Sequence, residues 1–571
     1  MAMMSGAQML VRTLEDLAVE YLFGYPGGAV LDIYDALHDS QKIRHVLGRH
    51  EQGVAHAADG YARVTGKVGV CLVTSGPGAT NTVTAIATAY MDSVPLVVIT
   101  GQVGTPLIGS DAFQEVDTIG ITRPIVKHSY LCQKATDIPK YLRQAFYLAS
   151  TGRPGPVVVD VPKDCVRPSV KFEYPEPDPQ GVRMRSYNPT LQGHRGQVRR
   201  AAKMLAEAKR PVLMLGGGVI ASGASDKLQE IAKLFRLPVT STLMGLGAYP
   251  GSDPQFLGML GMHGTYEANL AMDKADLVLA FGVRFDDRVT NNLQKFCPAA
   301  KIVHTDIDPA SISKTVNADI PIVGDAGIVA GQFLEAFDEL KLKRDDQALD
   351  EWWGHIAKWK ATNCLAYDHD PKLIKPQEVI EAVYKATKGD AVVVTDVGQH
   401  QMFAAQYWKF DQPRLFLSSG GLGTMGYGFP AALGAWVGER QKPIVLFTGD
   451  GSFQMNIQEL STCKQFHIPL KIFILDNHTL GMVRQWQMMF YRGRISWTDL
   501  NDNPDFVAVA KAYGHEGIYV EKPSELEGAV AKALSLKDKL VICDVRCDTD
   551  AKVLPMQQGG GSMSDMFMAE D

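Results

Sequence analysis

The positions of the apolar residues divide the chain into three blocks that share one pattern. In each block, short apolar runs alternate with glycine-rich turns and with stretches whose apolar residues recur at helical spacing. Such alternation of strands and helices is typical of parallel sheets, and the predicted fold class is therefore α/β. The predicted strands are residues 68–74, 95–100 and 156–161 in the first block, 211–215, 237–241, 276–281, 301–307 and 320–323 in the second, and 391–396, 414–418, 443–448, 470–475 and 540–545 in the third.

The chain begins with a predicted amphipathic helix that Ser5 can cap. A glycine commonly ends a helix, and Gly24 is expected to end this one. The apolar face of the helix is expected to consist of Met9, Leu10, Leu14, Leu17 and Tyr21.

Prolines, charges and glycines mark the expected boundaries. Five prolines within 166–190 indicate an extended linker, and the charged run 338–351 indicates a solvated helix face or a linker. The glycine-rich end indicates a mobile tail. The predicted division is a first domain at 1–168, a linker at 169–190, a central domain at 191–340, a linker at 341–372, a third domain at 373–556 and the mobile tail at 557–571.

Composition excludes several classes of protein. The chain has 57 Lys and Arg residues against 63 Asp and Glu residues, and this net charge of −6 argues against nucleic-acid binding. The sequence contains no apolar run of about 18 residues and no secretory signal at its start, so no membrane association is expected. Cys543 and Cys547 stand about 13 Å apart on a predicted strand, too far for a disulfide or a shared metal. We expect eight reduced thiols and a cytoplasmic protein.

The clearest chemical signal lies in the third block. Gly449-Asp450-Gly451 follows one buried strand directly, and after a spacer of 24 residues Asp476-Asn477 ends the next strand. Both polar pairs are expected at the carboxyl ends of parallel strands, where open α/β sheets bind ligands. Flanking glycines allow backbone amides to approach a phosphate, and Asp and Asn oxygens suit Mg²⁺. Two ordinary turns are the alternative, which a GDG sequence alone would favour.

This spacing resembles the diphosphate-binding motif of thiamine diphosphate (ThDP) enzymes, although the family has asparagine where Asp476 stands. The resemblance implies that Asp450, Asn477 and the backbone carbonyl of Thr479 bind Mg²⁺. It also implies that Glu51, in RHEQGVAHAADGYAR, hydrogen-bonds N1′ of the aminopyrimidine and relays a proton; a favourable acid at a helix N-terminus is the alternative. Met425 resembles the bulky residue beneath the cofactor, although it could equally fill a core. The other ThDP contacts implied are Gly398, Gln399, His400, Gly423, Thr424, Gly451 and Ser452.

From about residue 4 to about residue 557, the chain resembles the catalytic large subunits of the anabolic, FAD-containing acetohydroxyacid (acetolactate) synthases. The resemblance is carried by segments that include LVTSGPGATN, STLMGLGAYP, GVRFDDRVTNN, SSGGLGTMGYG, GDGSFQMNIQEL and LGMVRQWQ. It implies three domains, each with a mostly parallel six-stranded sheet flanked by helices: a pyrimidine-binding domain, a Rossmann-like FAD domain and a diphosphate- and Mg²⁺-binding domain. The FAD contacts implied are Arg153, Gly217, Thr242, Leu243, Met244, Gly245, Leu260, Gly261, Met262, His263, Gly282, Val283, Arg284, Phe285, Asp286, Asp306, Ile307, Asp325 and Ala326.

The implied reaction is decarboxylation of pyruvate on ThDP and transfer of the hydroxyethyl unit to a second 2-ketoacid. Pyruvate as acceptor gives 2-acetolactate and 2-ketobutyrate gives 2-aceto-2-hydroxybutyrate, on the route to valine, leucine and isoleucine. Arg288 resembles the guanidinium that pairs with the acceptor carboxylate, and Trp486 the side chain that packs on the extra methyl group of 2-ketobutyrate. A surface Asp–Arg cluster and a helix-face core residue are the respective alternatives. Phe113, Gln114 and Lys163 correspond to the acceptor-side wall.

The resemblance also implies an assembly. Each active site is expected to join the first domain of one chain to the third domain of another, in a homodimer or homotetramer, and a separate small regulatory subunit is expected. Catabolic acetolactate synthase, pyruvate oxidase and a simple 2-ketoacid decarboxylase are the alternatives within the ThDP enzymes. A catalytically silent cofactor-binding scaffold is the alternative outside catalysis, and the joint presence of Glu51, Asp450 and Asn477 argues against it.

Overall fold

A computed structural model describes residues 3–569. The chain forms three six-stranded sheets in which all neighbouring strands are parallel. This confirms the predicted α/β class and the three sheets. Within residues 3–569, no helix combines the length and the apolar character that crossing a membrane demands. All eight cysteines are buried free thiols, as predicted.

The sheets have the following strands in spatial order. The first contains Arg44–Leu47, Tyr21–Tyr25, Gly69–Val73, Leu96–Gln102, Pro156–Pro162 and His128–Leu131. The second contains Phe256–Met259, Val239–Ser241, Pro211–Leu215, Leu277–Phe281, Lys301–Asp306 and Ile320–Val323. The third contains Phe416–Leu417, Val392–Thr395, Ile444–Gly449, Lys471–Asp476, Val541–Arg546 and Glu516–Val520. Antiparallel pairs join Met3–Met4 to Phe172–Glu173 and Met556–Gln557 to Met566–Phe567.

The α-helices cover the faces of these sheets. Those of the first part are Gly6–Asp16, Leu31–His38, Glu51–Thr65, Pro77–Thr80, Val83–Met91, Thr118–Thr122 and Ile138–Ser150. Those of the second are Arg195–Glu207, Gly217–Ala221, Ser225–Leu234, Tyr266–Lys274, Asp287–Thr290, Ala326–Glu339 and Asp346–Lys360. Those of the third are Pro376–Thr387, Gln399–Tyr407, Gly428–Gly438, Asp450–Gln454, Leu460–Phe466, Gly481–Phe490, Phe506–Ala512 and Pro523–Ser535.

The first helix is shorter than predicted. Ser5 caps it, as expected, but it ends at Asp16, because Ala18 adopts a left-handed conformation with φ of 56°. Tyr21 and Gly24 belong instead to the strand Tyr21–Tyr25. Gly24 is required there, since a Cβ would lie 2.5 Å from His45 Nε2 and from Tyr34 Oη. The apolar spacing of the helix continues into the strand, and this continuation made the prediction too long.

Two segments predicted as a linker and a mobile tail are packed. The segment 341–372 contains the helix Asp346–Lys360, which buries Leu349, Trp352 and Ile356 against the second sheet's core. The apolar residues of this helix recur at helical spacing, but the many charged residues between them favoured the prediction of a linker. In the tail, Met563 is fully buried, and Asn291 Nδ2 donates to the Gln558 carbonyl at 2.7 Å. The last two residues of the predicted tail lie outside the described residues, and the domain boundaries stay a prediction.

The first and third parts of the chain pack closely on each other. The helices Glu51–Thr65 and Gly428–Gly438 have backbones so near that a Cβ on Gly60 would clash with Ala431, and one on Gly434 with Ala57. This contact forms part of one hydrophobic core that spans both sheets. The contact fixes the position of the helix Glu51–Thr65 relative to the carboxyl edge of the third sheet.

Candidate active site

The predicted metal-binding residues meet at the carboxyl edge of the third sheet. Ile444–Gly449 and Lys471–Asp476 are adjacent parallel strands, so Asp450 and Asn477 emerge side by side. A narrow cavity of about 70 Å³ begins between them. Its walls include every predicted metal position and most predicted diphosphate contacts, namely Gly398, Gln399, His400, Met425, Asp450, Gly451, Ser452, Asn477 and Thr479.

The electrostatics of this cavity suit a cation. Asp450 is 2% exposed, and ligand atoms of Asp450, Asp476 and His478 lie within 4.8 Å of one another. Burial and the neighbouring Asp476 carboxylate together raise the pKa of Asp450 to about 8. A bound divalent cation would offset this repulsion and favour the ionised carboxylate. The donor set of carboxylate, amide and carbonyl oxygens therefore fits Mg²⁺.

His400 provides a second observation that favours an anionic group in the cavity. Burial lowers the pKa of this imidazole to about 3, so the ring is neutral. Its Nε2 atom is buried and has no hydrogen-bond partner among the described residues. Gly398, with φ of 148°, begins the helix Gln399–Tyr407 beside it. A diphosphate group in the cavity would favour the protonated imidazole, whose Nε2–H can donate to a phosphate oxygen.

A second, much larger cavity lies where the three parts of the chain meet. Its volume is about 820 Å³, which is adequate for a dinucleotide-sized ligand. The predicted FAD contacts line it with two exceptions, Gly245 and Gly261, which lie behind the wall. His263 Nδ1 is buried there without a partner among the described residues. These observations fit a flavin nucleotide. Residues from the first and third parts of the chain also line this cavity.

The two predicted substrate residues lie on the wall of the large cavity and face each other. The guanidinium of Arg288 stands over the Trp486 ring at 5.9 Å. Arg288 also contacts exposed Asp287 at 3.8 Å, so the alternative of a surface Asp–Arg cluster describes part of its surroundings. Trp486 is half-buried, with its Nε1 atom unpartnered among the described residues. Neither side chain is an ordinary core residue.

Met425 lies at the boundary of the two cavities. Its side chain lines both of them and is not enclosed in the hydrophobic core. Of its predicted neighbours, Gly423 lines the large cavity, whereas Thr424 lines neither and bonds to Thr88 Oγ1 at 2.8 Å. Met425 therefore forms a wall common to the cavity of the predicted metal-binding residues and the cavity that Arg288 lines.

Unlike Arg153, the first-domain residues predicted to contact the aminopyrimidine or the acceptor line neither cavity, namely Glu51, Phe113, Gln114 and Lys163. Asn81 Nδ2 donates to Glu51 Oε2 at 3.0 Å, which leaves Oε1 available. Glu51 therefore has a defined orientation at the start of its helix. Phe113 is 87% exposed, Lys163 is exposed, and Gln114 packs its backbone against Gly76. In a single chain, the described residues that are predicted to form the pyrimidine and acceptor walls therefore do not contribute to the cavity of the predicted metal-binding residues.

Sequence reasoning missed three polar residues that support the site. Asn503 Nδ2 donates to Asp450 Oδ2 at 2.7 Å, Asn81 orients Glu51, and Asp92 accepts from the loop that carries Met425. Asn81 could have been found, since it ends the TSGPGATN motif. Asn503 and Asp92 stand in segments without a motif, so only their contacts reveal them.

Comparison with family models defines the class of the protein. The chain matches the N-terminal TPP binding domain of thiamine pyrophosphate enzymes over residues 4–121 and the central domain over residues 198–336. It matches the C-terminal TPP binding domain over residues 396–545. Together with the metal cavity, these matches define a thiamine pyrophosphate enzyme.

Individual relatives are more specific. The chain is 58% identical to the acetolactate synthase large subunit of Haemophilus influenzae, over 100% of this chain and 99% of that protein. It is 56% identical to the acetolactate synthase isozyme 3 large subunit of Escherichia coli, with the same coverage. The large subunit from Corynebacterium glutamicum is 48% identical, over 99% of this chain and 90% of its own length. The chain belongs to the family of acetolactate synthase large subunits.

Proposed function

We propose that this chain is the catalytic subunit of a biosynthetic acetolactate synthase. It decarboxylates pyruvate and joins the two-carbon unit to a second pyruvate or to 2-ketobutyrate. The observation that carries the proposal is that the two cavities are neighbours and share a wall at Met425. The predicted metal-binding residues line one side of this wall, and the predicted acceptor-binding pair and most predicted flavin-binding positions line the other.

Asp450, the Asn477 side chain and the Thr479 carbonyl would hold Mg²⁺, and Gln399 and His400 would contact the diphosphate. When bound, ThDP supplies the carbon nucleophile and electron sink for decarboxylation. Thr479 is well placed for its role, because its hydroxyl donates to the Thr498 carbonyl at 2.8 Å and its N–H donates to Asn477 Oδ1 at 3.2 Å. These bonds fix the backbone from which the carbonyl projects.

Glu51 would exchange a proton with the aminopyrimidine through Oε1. Asn81 holds the other carboxylate oxygen, so the free oxygen has one preferred direction. The start of its helix is also fixed from the third part of the chain, because Glu459 Oε1 accepts from the Arg49 and His50 N–H groups at 3.0 and 3.1 Å. An oriented carboxyl group is what general acid–base catalysis requires.

Arg288 and Trp486 would select the acceptor. The planar guanidinium can bind the carboxylate of a 2-ketoacid through two hydrogen bonds. The indole beside it offers an apolar surface for the methyl group that distinguishes 2-ketobutyrate from pyruvate. Their separation of 5.9 Å places both groups within reach of one small acceptor.

The active unit would be at least a homodimer, with Glu51, Phe113, Gln114 and Lys163 of one chain facing the metal cavity of another. Phe113 is exposed and belongs to neither cavity wall, and both facts support this arrangement. A tetramer and a separate small regulatory subunit belong to the same proposal. The name "large subunit" of the relatives supports a second kind of chain.

An anaerobic product assay tests the proposed reaction. The purified chain receives pyruvate, 2-ketobutyrate, ThDP and Mg²⁺, with and without FAD. We expect 2-acetolactate and 2-aceto-2-hydroxybutyrate, both dependent on FAD. Acetolactate from flavin-free protein would indicate the catabolic enzyme, and acetaldehyde alone would indicate a decarboxylase. Electron transfer from pyruvate to an added acceptor would indicate a pyruvate oxidase.

The variant Glu51→Gln links this reaction to its residue. The amide keeps the size of the side chain but cannot relay a proton, so we expect product formation to fall by about a hundredfold or more. Glu335→Gln, at an exposed helical position in the central part of the chain, is the matched control. Full activity of Glu51→Gln would remove this residue from the mechanism.

A further inference from the structure

A buried network of charged side chains connects the first part of the chain to a loop of the third. Arg63 Nε donates to Asp59 Oδ1 at 2.6 Å, and Arg63 Nη2 donates to Asp92 Oδ2 at 2.8 Å. Both carboxylates are fully buried, and the Arg63 side chain is 9% exposed. Tyr427 Oη completes the network by donating to Asp59 Oδ1 at 2.8 Å. Arg63 is therefore shared between two carboxylates.

Asp92 extends this network to the segment that we call the cofactor loop, residues 420–426. Gly421 N–H donates to Asp92 Oδ1 at 2.7 Å, and Gly420 N–H donates to Oδ2 at 3.0 Å. Each carboxylate oxygen thus accepts from one loop amide. The approach is close, because a Cβ on Gly421 would lie 2.9 Å from Asp92 Oδ1 and from Met91 Cβ.

The cofactor loop needs such an anchor because of its composition. Four of its seven residues are glycines, and two of these, Gly423 and Gly426, have φ of 69° and 86°. A glycine-rich segment has many accessible conformations, so holding one of them is costly in entropy. Hydrogen bonds to a buried charged acceptor are stronger than those between neutral groups. Asp92 supplies two of them at the start of the loop.

The anchored loop is also the boundary of the cavities. Asp92, Gly420 and Gly421 line the large cavity, and Met425 lines both cavities. A displacement at Gly420 and Gly421 would therefore move Met425 relative to both binding spaces. The bond between Thr88 and Thr424 attaches the loop to the same helical region as Asp92.

We propose that Asp92, held by Arg63, is a positioning residue that fixes the cofactor loop in the conformation that binds ThDP. The carboxylate itself does not touch the reacting atoms; it acts through the two loop amides and Met425. This inference rests on the proposed function, since it assigns ThDP to the cavity beside Met425.

The test compares ThDP affinity in Asp92→Asn and wild type. The amide keeps the size of the side chain but can accept from only one of the two loop amides, and it lacks the charge that pairs with Arg63. Calorimetric titration of the flavin-loaded protein with ThDP in excess Mg²⁺ should show a Kd raised about tenfold or more. At saturating ThDP, the KM for pyruvate should stay within about twofold of wild type.

Two further variants make the result specific. Asp276→Asn is the matched control, because Asp276 also accepts from two backbone N–H groups, those of Lys209 and Arg210, but lies outside both cavity walls. Its ThDP affinity should equal that of wild type. Gly421→Ala displaces the loop from Asp92 without removing a charge, so it should weaken ThDP binding as Asp92→Asn does. It replaces Asp92→Asn as the test variant if Asp92→Asn does not fold.

Unchanged ThDP affinity in Asp92→Asn and Gly421→Ala would overturn the inference, as would an equal loss in Asp276→Asn. Failure of the proposed function has a different signature. In that case wild type itself would form no acetolactate, whereas failure of the inference alone leaves wild-type carboligation intact and the variants indistinguishable from it.

Discussion

The carboxylates of Asp450 and Asp476, at the smaller cavity with the predicted metal-binding residues, depend on neighbouring side chains that donate hydrogen bonds to them. Asp450 is buried next to Asp476, and Asn503 Nδ2 is placed to stabilise both, at 2.7 Å from Asp450 and 3.4 Å from Asp476. Gln454 Nε2 in turn donates to Asn503 Oδ1 at 3.1 Å, which fixes the amide orientation. Asn503 therefore orients the proposed metal ligand Asp450 without itself being a predicted ligand.

The variant Asn503→Ala tests this supporting role. We expect the affinity for Mg²⁺ to fall about tenfold to a hundredfold, because residues that orient a ligand commonly contribute this much. The measurement is ThDP binding as a function of Mg²⁺ concentration. Asn501→Ala, at an exposed position of the same loop, should behave like wild type. Equal Mg²⁺ dependence in both variants would contradict the assignment.

Asp160 predicts a pH dependence of stability. Burial raises the pKa of this carboxyl to about 7, although Thr100 Oγ1 and Gln102 Nε2 both donate to it. Between about pH 4 and pH 7 the folded state holds a proton that the unfolded state releases, so stability falls as the pH rises. From pH 5 to pH 8 this loss is on the order of 2–3 kcal/mol of unfolding free energy.

Asp160→Asn should remove that dependence. The melting temperature of the variant minus that of wild type should therefore be larger at pH 8 than at pH 5. The measurement is scanning calorimetry of the apo chain. Asp35→Asn, an exposed carboxylate of the same domain, is the control and should parallel wild type at both pH values. If the melting temperature of Asp160→Asn instead changed with pH in parallel with that of wild type, Asp160 would be ionised in the folded state at both pH values.

At the scale of elements, the helix Gly481–Phe490 carries Trp486, the residue proposed to select the acceptor. Its side chains reach the large cavity at Met482, Val483 and Trp486, which are consecutive on one helical face. The adjacent side is fixed by Gln485, whose Oε1 accepts from the Val553 N–H at 2.9 Å. The helix is thereby held in one rotation, with the indole directed at Arg288.

Trp486→Leu should change the choice of acceptor. The smaller side chain loses contact with the additional methyl group of 2-ketobutyrate, so the product ratio should shift toward 2-acetolactate by about tenfold or more. The measurement is competition between the two acceptors at equal concentration. Trp436→Leu, on a helix outside both cavity walls, should leave the ratio unchanged. An unchanged ratio in Trp486→Leu would assign selection to other residues.

Elements also show where the sequence pattern succeeded. The central strand Pro211–Leu215 and the edge strand Ile320–Val323 have the predicted bounds. Four strands were missed at sheet edges, namely Arg44–Leu47, His128–Leu131, Phe256–Met259 and Glu516–Val520. Edge strands have one neighbour and partly exposed faces, so their sequences lack the continuous apolar runs that reveal strands buried in a parallel sheet.

At the scale of the whole molecule, one chain contains every predicted component but does not bring them all to one place. The metal cavity and Glu51 lie on separate surfaces, although the helices behind them pack together. A second copy is the simplest source of the missing wall, since oligomers usually have closed symmetry.

Mixing two inactive variants tests this arrangement. In a random mixture of Glu51→Gln and Asp450→Asn chains, half of the dimers are mixed, and each mixed dimer has one intact site if sites combine two chains. Co-expression should therefore restore about one quarter of wild-type acetolactate formation. Each variant expressed alone should stay inactive. No restoration in the mixture would place Glu51 and Asp450 of the same chain in one site.

The sequence by itself determined the class of fold and most of the central strands, and it indicated Asp450, Asn477 and, through the family resemblance, Glu51 as candidate site residues. These features depend on local periodicity and on motifs that stand at strand ends. Only the tertiary structure decided the end of the first helix, four of the six edge strands, the packing of residues 557–569 and the contacts of Asn503 and Asp92. Those features depend on contacts between residues far apart in the chain, such as Asp92 with Gly421, and no local pattern encodes such contacts.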